Sequence, residues 1–129
     1  MKRQKVEKTR NAATMTEAAY FAKIRSILRN GFRYWKVAML AAENASRPYK
    51  GENKRLKKEY QCKKCKSWFK RSDCEIDHII PCGSLNCYDD IVSFIQRLTP
   101  EDVKAFQILC KPCHKIKTNN EKQKRDARK

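Results

Sequence analysis

The chain has 129 residues, of which 31 are lysine or arginine and 14 are aspartate or glutamate, giving a formal net charge of +17. Its 3 glycines and 4 prolines exclude a collagen-like or linker-like protein. No apolar run approaches the roughly 20 residues that a bilayer-spanning helix needs, and no apolar stretch typical of a signal peptide follows the basic N-terminus. We therefore expect a small cytoplasmic protein with no membrane partner.

The excess positive charge predicts a polyanionic partner. Nucleic acid is the first candidate, because each phosphate that a basic side chain neutralises releases a counterion. The ordinary alternative is a soluble protein that is simply basic. Residues 1–15 are polar and basic without hydrophobic periodicity, and we interpret them as a disordered basic arm that contacts phosphate.

Residues 16–58 are predicted to contain a helical pair followed by a basic connector. Thr16 is placed to cap a helix that begins at Glu17, and Asn30-Gly31 is placed to end it. Apolar residues recur on one face of this segment, and a second helical run follows it. Two roles stay open for the pair: packing on the rest of the chain with its basic residues in solvent, or direct contact with DNA.

Residues 59–129 alternate short strand signals with helical ones. Thr99-Pro100-Glu101 is typical of the start of a short helix, and the segment from Cys113 onward is predicted to be a basic helix. The whole pattern predicts an α+β fold. The other predicted elements are strands near 59–61, 68–70 and 75–80, a helix over 88–98, and a strand or buried loop over 106–109.

Four of the 7 cysteines form two CxxC pairs, Cys62/Cys65 and Cys110/Cys113. This spacing lets both thiolates of a pair reach one ion, and two pairs complete a tetrahedral structural Zn²⁺ site. Such a site would contribute folding energy to a small domain. A redox role would need a thioredoxin-like βαβ context, which the pattern lacks. The remaining thiols have no obvious partners, and we interpret them as small, semi-buried residues.

Two histidines occur in the chain, and both lie near the cysteine pairs. His78 follows Asp77 in the loop that a shared zinc ion would close, and His114 directly follows Cys113. A carboxylate and an imidazole can hold a divalent ion that stabilises charge on a scissile phosphate. A second imidazole titrates near neutral pH and can accept a proton from water. Each histidine, taken alone, is more often a structural residue.

Residues 60–118 resemble the HNH endonucleases, the ββα-metal nucleases, particularly the zinc-bound type common in bacteriophages. The resemblance implies a small ββα-metal core with a four-cysteine zinc site, preceded here by the helical pair. It also implies a DNA endonuclease, a phosphodiester hydrolase encoded by a phage and acting in the host cytoplasm. The matching segments are Tyr60-Gln61-Cys62-x-x-Cys65, Asp77-His78-Ile79-Ile80-Pro81-x-Gly83-Ser84-Leu85 and Leu109-Cys110-Lys111-Pro112-Cys113-His114-x-x-Lys117-Thr118.

The resemblance assigns roles to individual positions. His78 would be the general base, and Asp77 and His114 would hold the catalytic divalent ion, Mg²⁺, Mn²⁺ or another. The structural zinc ligands would be Cys62, Cys65, Cys110 and Cys113. One position departs from the family pattern: Ala105 stands where the family has an asparagine that braces the loop and orients the base.

The family's terminal helix generally contacts DNA at the minor groove. The candidate contacts here are Lys111, Lys115, Lys117, Lys122, Lys124 and Arg125, and a solvated basic tail is the alternative for the last of them.

Two other functions stay open. The first is a non-catalytic, zinc-stabilised DNA-binding module, which Ala105 favours and the retained Asp77, His78 and His114 oppose. The second is an accessory that joins phage DNA-packaging proteins and nicks only incidentally. The sequence leaves the oligomeric state, the cleavage specificity, and nicking against double-strand cleavage undetermined.

Overall fold

The structure, a computed structural model, describes residues 4–127. This part of the chain is α+β, as the sequence predicts, with helices and short antiparallel strands. In chain order the elements are β1 (Lys8–Arg10), β2 (Met15–Thr16), α1 (Glu17–Gly31), α2 (Lys36–Asn44), β3 (Ser46–Pro48), β4 (Lys58–Gln61), β5 (Trp68–Phe69), β6 (Cys74–His78), α3 (Asp90–Leu98), β7 (Phe106–Cys110) and α4 (Lys111–Ala127).

The chain divides into two compact units that the sequence pattern did not predict. One comprises the residues up to Arg33 together with Pro81–Thr99, and the other comprises Tyr34–Ile80 with the residues from Pro100 onward. The two helices predicted as a pair therefore belong to different units. Helical periodicity reveals that a helix has an apolar face, but it does not reveal which distant segment covers that face.

The first unit begins with a short hairpin of β1 and β2, in the segment interpreted as a disordered arm; residues 1–3 of that arm lie outside the described part. Arg10 orders this hairpin. Its Nε atom lies 2.5 Å from a carboxylate oxygen of Glu17, and its guanidinium carbon lies 4.4 Å from the ring centre of Tyr20. Local hydrophobic periodicity gives no indication of either contact. For this reason the sequence predicted a disordered arm where the structure has a hairpin.

Helix α1 follows as predicted. The hydroxyl oxygen of Thr16 accepts a hydrogen bond from the amide of Ala19 at 3.1 Å, which satisfies one of the unpaired amides of the first turn. The apolar face of α1 buries Phe21 in one cluster with residues of the 81–99 segment. The buried members of that segment are Cys82, Leu85, Phe94 and Leu98.

The second unit contains a three-stranded antiparallel sheet, in the order β3-β4-β5, and a two-stranded ribbon of β6 and β7. The ribbon pairs five residues with five, from Cys74 opposite Cys110 to His78 opposite Phe106. Helix α2 packs on the ribbon through small residues, with Ala38 and Ala41 buried against Phe106. Helix α4 begins at the residue directly after β7 and contacts both strands of the ribbon.

The short helix predicted to begin at Thr99 is absent from the described structure. Thr99 instead ends α3, and its hydroxyl donates to the carbonyl of Ile95 at 2.8 Å. A single 3-10 turn follows at Val103–Ala105, where the Asp102 carboxylate accepts from the Lys104 amide at 2.9 Å. Because β7 begins at Phe106, the chain has no room for a longer helix.

Candidate metal centre

The four cysteines of the two CxxC pairs converge. One sulfur from each residue lies within 4.8 Å of every other, and the sulfurs of Cys65 and Cys110 are 3.9 Å apart. Zn–S bonds of about 2.3 Å in a tetrahedron place sulfurs about 3.8 Å apart. The cluster is therefore compatible with one tetrahedral metal ion and with the predicted zinc site.

The first pair lies in a tight turn after β4. The amide of Lys66 donates to the carbonyl of Cys62 at 3.0 Å, and Lys66 has a positive φ of 65° that closes the turn. The amide of Cys65 points at the sulfur of Cys62 at 3.5 Å. Amides directed at sulfur offset thiolate charge. The amide of Lys63 donates to the carbonyl of Ile108 at 2.8 Å, which ties this turn to β7.

The second pair spans the junction of β7 and α4. Cys110 is the last residue of β7, and Cys113 lies in the first turn of α4. Pro112 is tolerated there because the first-turn amides of a helix have no intrahelical partner. Cys62 and Cys110 are buried together with Leu109, while Cys113 is half-buried and Cys65 is exposed.

The thiols of this cluster differ in pKa. Burial would raise the pKa of Cys62, but backbone amides of Cys110, Cys65 and Lys64 outweigh it and lower that pKa to about 6. The hydrogen bond with Cys110, together with burial, raises the pKa of Cys113 to about 12. Since metal ligands must be deprotonated, an ion would displace protons from the cluster on binding.

The other three cysteines are not among the four clustered sulfurs, although Cys74 is the cross-strand neighbour of Cys110. Cys74 and Cys82 are buried in apolar clusters, and burial raises the pKa of Cys74 to about 11. Cys87 is exposed, unlike the semi-buried environment predicted for it.

A second polar cluster lies near the opposite end of the ribbon, where β6 faces α4. Among residues 4–127, Asp77 is the only charged residue that is buried, at 9% exposed. The Asp77 Oδ1 atom lies 3.5 Å from the Nε2 atom of His114, which is on the first turn of α4. The packing of α4 against β6 thus brings together the two residues that the sequence proposed as ligands of a second ion.

The other oxygen of Asp77 has two partners that the sequence did not predict. Gln107, directly opposite on β7, donates its side-chain amide to Oδ2 at 2.9 Å, and the ammonium of Lys117 lies 3.0 Å from the same atom. Lys117 also contacts Glu121, one helical turn further on α4, and donates to the carbonyl of His78 at 3.1 Å.

Lys117 is therefore a fixed positive charge at the buried carboxylate. Burial lowers the pKa of Lys117, but hydrogen bonds to Glu121 and Asp77 outweigh it, so that its pKa is raised above the ordinary lysine value. Lys117 is therefore positively charged at neutral pH, and this charge is lost as the pH rises through its raised pKa. The i,i+4 spacing of Lys117 and Glu121 was visible in the sequence; the contact with Asp77 required the strand register.

His78 lies at the end of β6, on the opposite face from Asp77. Its ring centre is 4.7 Å from that of Phe106, its cross-strand partner. Adjacent strand residues point to opposite faces, so Asp77 faces α4 while His78 packs on Phe106. Directly after His78, the amide of Ile79 donates to the carbonyl of Ala105 at 2.9 Å.

The six basic residues proposed as DNA contacts all lie on α4. Lys117 is half-buried and engaged with Asp77 and Glu121, so it differs from the others in being directed into the protein. The exposed ones are Lys111, Lys115, Lys122, Lys124 and Arg125.

The comparisons with known proteins give no match: no family model, no curated protein and no solved structure matches the chain. Within residues 4–127, no helix is both long enough and apolar enough to cross a bilayer.

Proposed function

We propose that this protein is a metal-dependent endonuclease of the HNH type, with a ββα-metal core, that hydrolyses phosphodiester bonds in DNA. The observation that carries the proposal is the 3.5 Å approach of the Asp77 carboxylate to the His114 imidazole at the junction of ribbon and helix. A purely structural zinc module has no need of either group. The family resemblance of residues 60–118 adds to this geometry.

Asp77 and His114 fit a catalytic divalent ion. A carboxylate and an imidazole suit Mg²⁺, Mn²⁺ or Zn²⁺ in different degrees. The ammonium of Lys117, 3.0 Å from Asp77, is itself a cation held by this carboxylate. When bound, the ion would supply Lewis-acid stabilisation of charge on the scissile phosphate and on the leaving oxygen.

The residues of the chain supply the rest of the chemistry. His78 accepts a proton from the attacking water, which raises the nucleophilicity of that water. Packing against Phe106 limits the orientations of the His78 imidazole. The exposed basic residues of α4 hold the flanking phosphates, and contacts of this kind carry little sequence information.

The segment that carries the proposed base, His78, keeps a main-chain hydrogen bond although position 105 is alanine. The backbone carbonyl of Ala105 accepts from the amide of Ile79, one residue after His78. This hydrogen bond holds the end of β6 against the turn before β7. This main-chain hydrogen bond does not depend on the side chain at position 105, so it supports the end of β6 without the family's asparagine.

The test is plasmid cleavage by the purified, zinc-loaded protein with Mg²⁺, with Mn²⁺ and without added divalent ion, comparing wild type with His78→Ala. General-base catalysis contributes about 10²- to 10⁴-fold, so the variant is expected to lose at least about 100-fold in rate. Zinc content and DNA affinity must be unchanged in the variant. Binding of DNA by the wild type without cleavage under any metal condition would overturn the proposal.

The alternative function is a zinc-stabilised DNA-binding module without catalysis. The observation that favours it is the pairing of Asp77 with Lys117, because a carboxylate already neutralised by an ammonium needs no ion. Under this alternative, Asp77→Asn would alter stability but no DNA-processing rate, and the cleavage assay separates the two readings. Association with phage DNA-packaging proteins stays a prediction.

A further inference from the structure

We infer that a basic groove in the second unit holds a single-stranded segment of the DNA substrate. This inference rests on the proposed function for the identity of the polyanion and names a binding site distinct from α4. The groove has a volume of about 410 Å³ and lies between α2, the Cys62–Cys65 turn and β7. That volume is within the range of about 300–1,000 Å³ that is common for ligand sites.

The charge of the groove is of one sign. Lys63, Lys66 and Lys104 line it, and none of its lining residues is acidic. In a chain with 14 acidic residues, a 12-residue lining with three lysines and no carboxylate produces a local positive potential. A phosphate backbone is the complementary ligand.

The three lysines stand on backbone that is fixed by hydrogen bonds. The amides of Lys63 and Lys66 are held by the carbonyls of Ile108 and Cys62, and the amide of Lys104 is held by the Asp102 carboxylate. The Lys66 carbonyl also accepts from the side chain of Gln61 at 3.1 Å. The main chain that carries the three lysines is therefore fixed, while their flexible four-carbon stems can adjust to a phosphate.

The groove also has an apolar floor. Ala41, Phe106 and Ile108 are buried and line it, and two residues with amide side chains, Asn44 and Gln61, also line it. Exposed lysines alone are sufficient to bind the phosphates on the outside of a duplex. An apolar cavity with amide groups beside basic side chains suits an unpaired nucleotide, whose base leaves water while its phosphate stays near the ammonium groups. This combination favours a single strand over a duplex.

The groove adjoins the proposed catalytic residues through β7. Phe106 lines the groove and packs against His78, and Gln107 lines the groove and donates to Asp77. A strand bound in the groove would therefore continue toward the proposed site of hydrolysis.

The test measures fluorescence anisotropy of a fluorescein-labelled 12-nucleotide oligothymidine with zinc-loaded protein and no added Mg²⁺ or Mn²⁺. The groove variant is compared with a control variant that removes three charges from exposed lysines of the same unit that do not line the groove. Zinc content and thermal melting are checked for both variants. The groove variant is Lys63→Gln/Lys66→Gln/Lys104→Gln, and the control is Lys50→Gln/Lys54→Gln/Lys57→Gln.

The groove variant is expected to bind at least about ten-fold more weakly than wild type, and the control less than about three-fold more weakly. The dependence of log affinity on log salt should fall by about 2 in the groove variant, because each lost single-strand phosphate contact contributes about 0.7. Equal losses in the two variants would overturn the inference. An equal loss on duplex DNA would also overturn it, since the groove would then sense phosphate alone.

A second measurement uses wild-type protein and does not depend on the variants folding. An oligonucleotide containing 4-thiothymidine is cross-linked by light and the attached peptides are mapped. Cross-links to the peptides around Ala41–Ala45 or Lys104–Ile108 support the groove, and cross-links confined to α4 contradict it. If these measurements contradict the groove but the protein still cleaves DNA, the endonuclease proposal is unaffected. If cross-links form in the groove but no metal condition gives cleavage, the groove inference is supported and the endonuclease proposal is overturned.

Discussion

The two ends of the β6–β7 ribbon carry polar clusters of opposite character. At the end where Cys74 pairs with Cys110, four sulfurs lie within 4.8 Å of one another, and backbone amides lower the pKa of one of them, Cys62, to about 6. At the other end, the buried carboxylate of Asp77 already has an ammonium, an amide and an imidazole within 3.5 Å. The first cluster is compatible with one metal ion, whereas the second already includes the positive charge of Lys117.

This difference predicts different consequences of removing an ion. Without a metal, the raised pKa values of Cys110 and Cys113 keep their thiols protonated, and a bound ion would replace those protons. We therefore expect metal binding at the first cluster to be coupled to folding. The second cluster satisfies its buried charge internally, and a divalent ion there would compete with Lys117. Under the proposed function, the first cluster would be the structural centre, and the second would be the site where a catalytic ion replaces Lys117 beside Asp77.

The largest expected effect comes from the thiol cluster. Cys110→Ala is expected to remove zinc and most of the stability of the second unit, which for a small domain is about 5–15 kcal/mol. Zinc stoichiometry by mass spectrometry and thermal unfolding by circular dichroism measure this. The matched control is Cys87→Ala, an exposed thiol outside the cluster. Similar melting of both variants would refute a structural role for the ion.

Asp77→Asn is expected to reduce the cleavage rate strongly and the stability only slightly. It removes the charge that holds a divalent ion, so cleavage should fall at least about 100-fold, consistent with the several kcal/mol that such an ion supplies. Stability should fall by only about 1–3 kcal/mol, because Lys117 keeps its contact with Glu121. The control is Glu75→Gln, an exposed acid on the same face of β6. Retained cleavage in Asp77→Asn would remove Asp77 from the mechanism.

Lys117→Gln tests the competition between ammonium and divalent ion. Removing the fixed charge should tighten Mn²⁺ binding about ten-fold, equivalent to about 1.4 kcal/mol, measured by the loss of the free Mn²⁺ signal in electron paramagnetic resonance. Lys115→Gln makes the same charge change at an exposed position of α4 and is expected to have less than about a third of this effect. Unchanged or weaker Mn²⁺ binding in Lys117→Gln would indicate that Lys117 positions Asp77 for the ion.

The smallest expected effect concerns the position that departs from the family pattern. Because the Ala105 carbonyl already holds the amide of Ile79, Ala105→Asn should change the cleavage rate by less than about three-fold. Rates under saturating DNA, measured beside wild type at equal zinc content, provide the test. An increase of ten-fold or more would mean that the main-chain hydrogen bond is an insufficient substitute for the asparagine.

Much of the local structure follows from the sequence. Thr16 and Asn30-Gly31 predicted the ends of α1 because capping depends on adjacent residues. The two CxxC pairs predicted one cluster of four sulfurs, because the spacing within each pair is fixed by the turn that carries it. The prediction of a short helix that begins at Thr99 was wrong, because Thr99 lies at the end of α3. A threonine can occur at either end of a helix, so its presence alone does not distinguish a helix start from a helix end.

What the sequence determined by itself is therefore the chemistry available: four thiols in two pairs, Asp77, two histidines and a large excess of lysine and arginine. What only the tertiary structure decided is which further groups join the predicted clusters. The register of β6 and β7 set Gln107 beside Asp77, and the placement of α4 brought Lys117 to the same carboxylate. Likewise, the packing of α2 and β7 opened the groove that Lys63, Lys66 and Lys104 line. Contacts of this kind depend on strand pairing and helix packing between distant segments, and local periodicity contains no information about either.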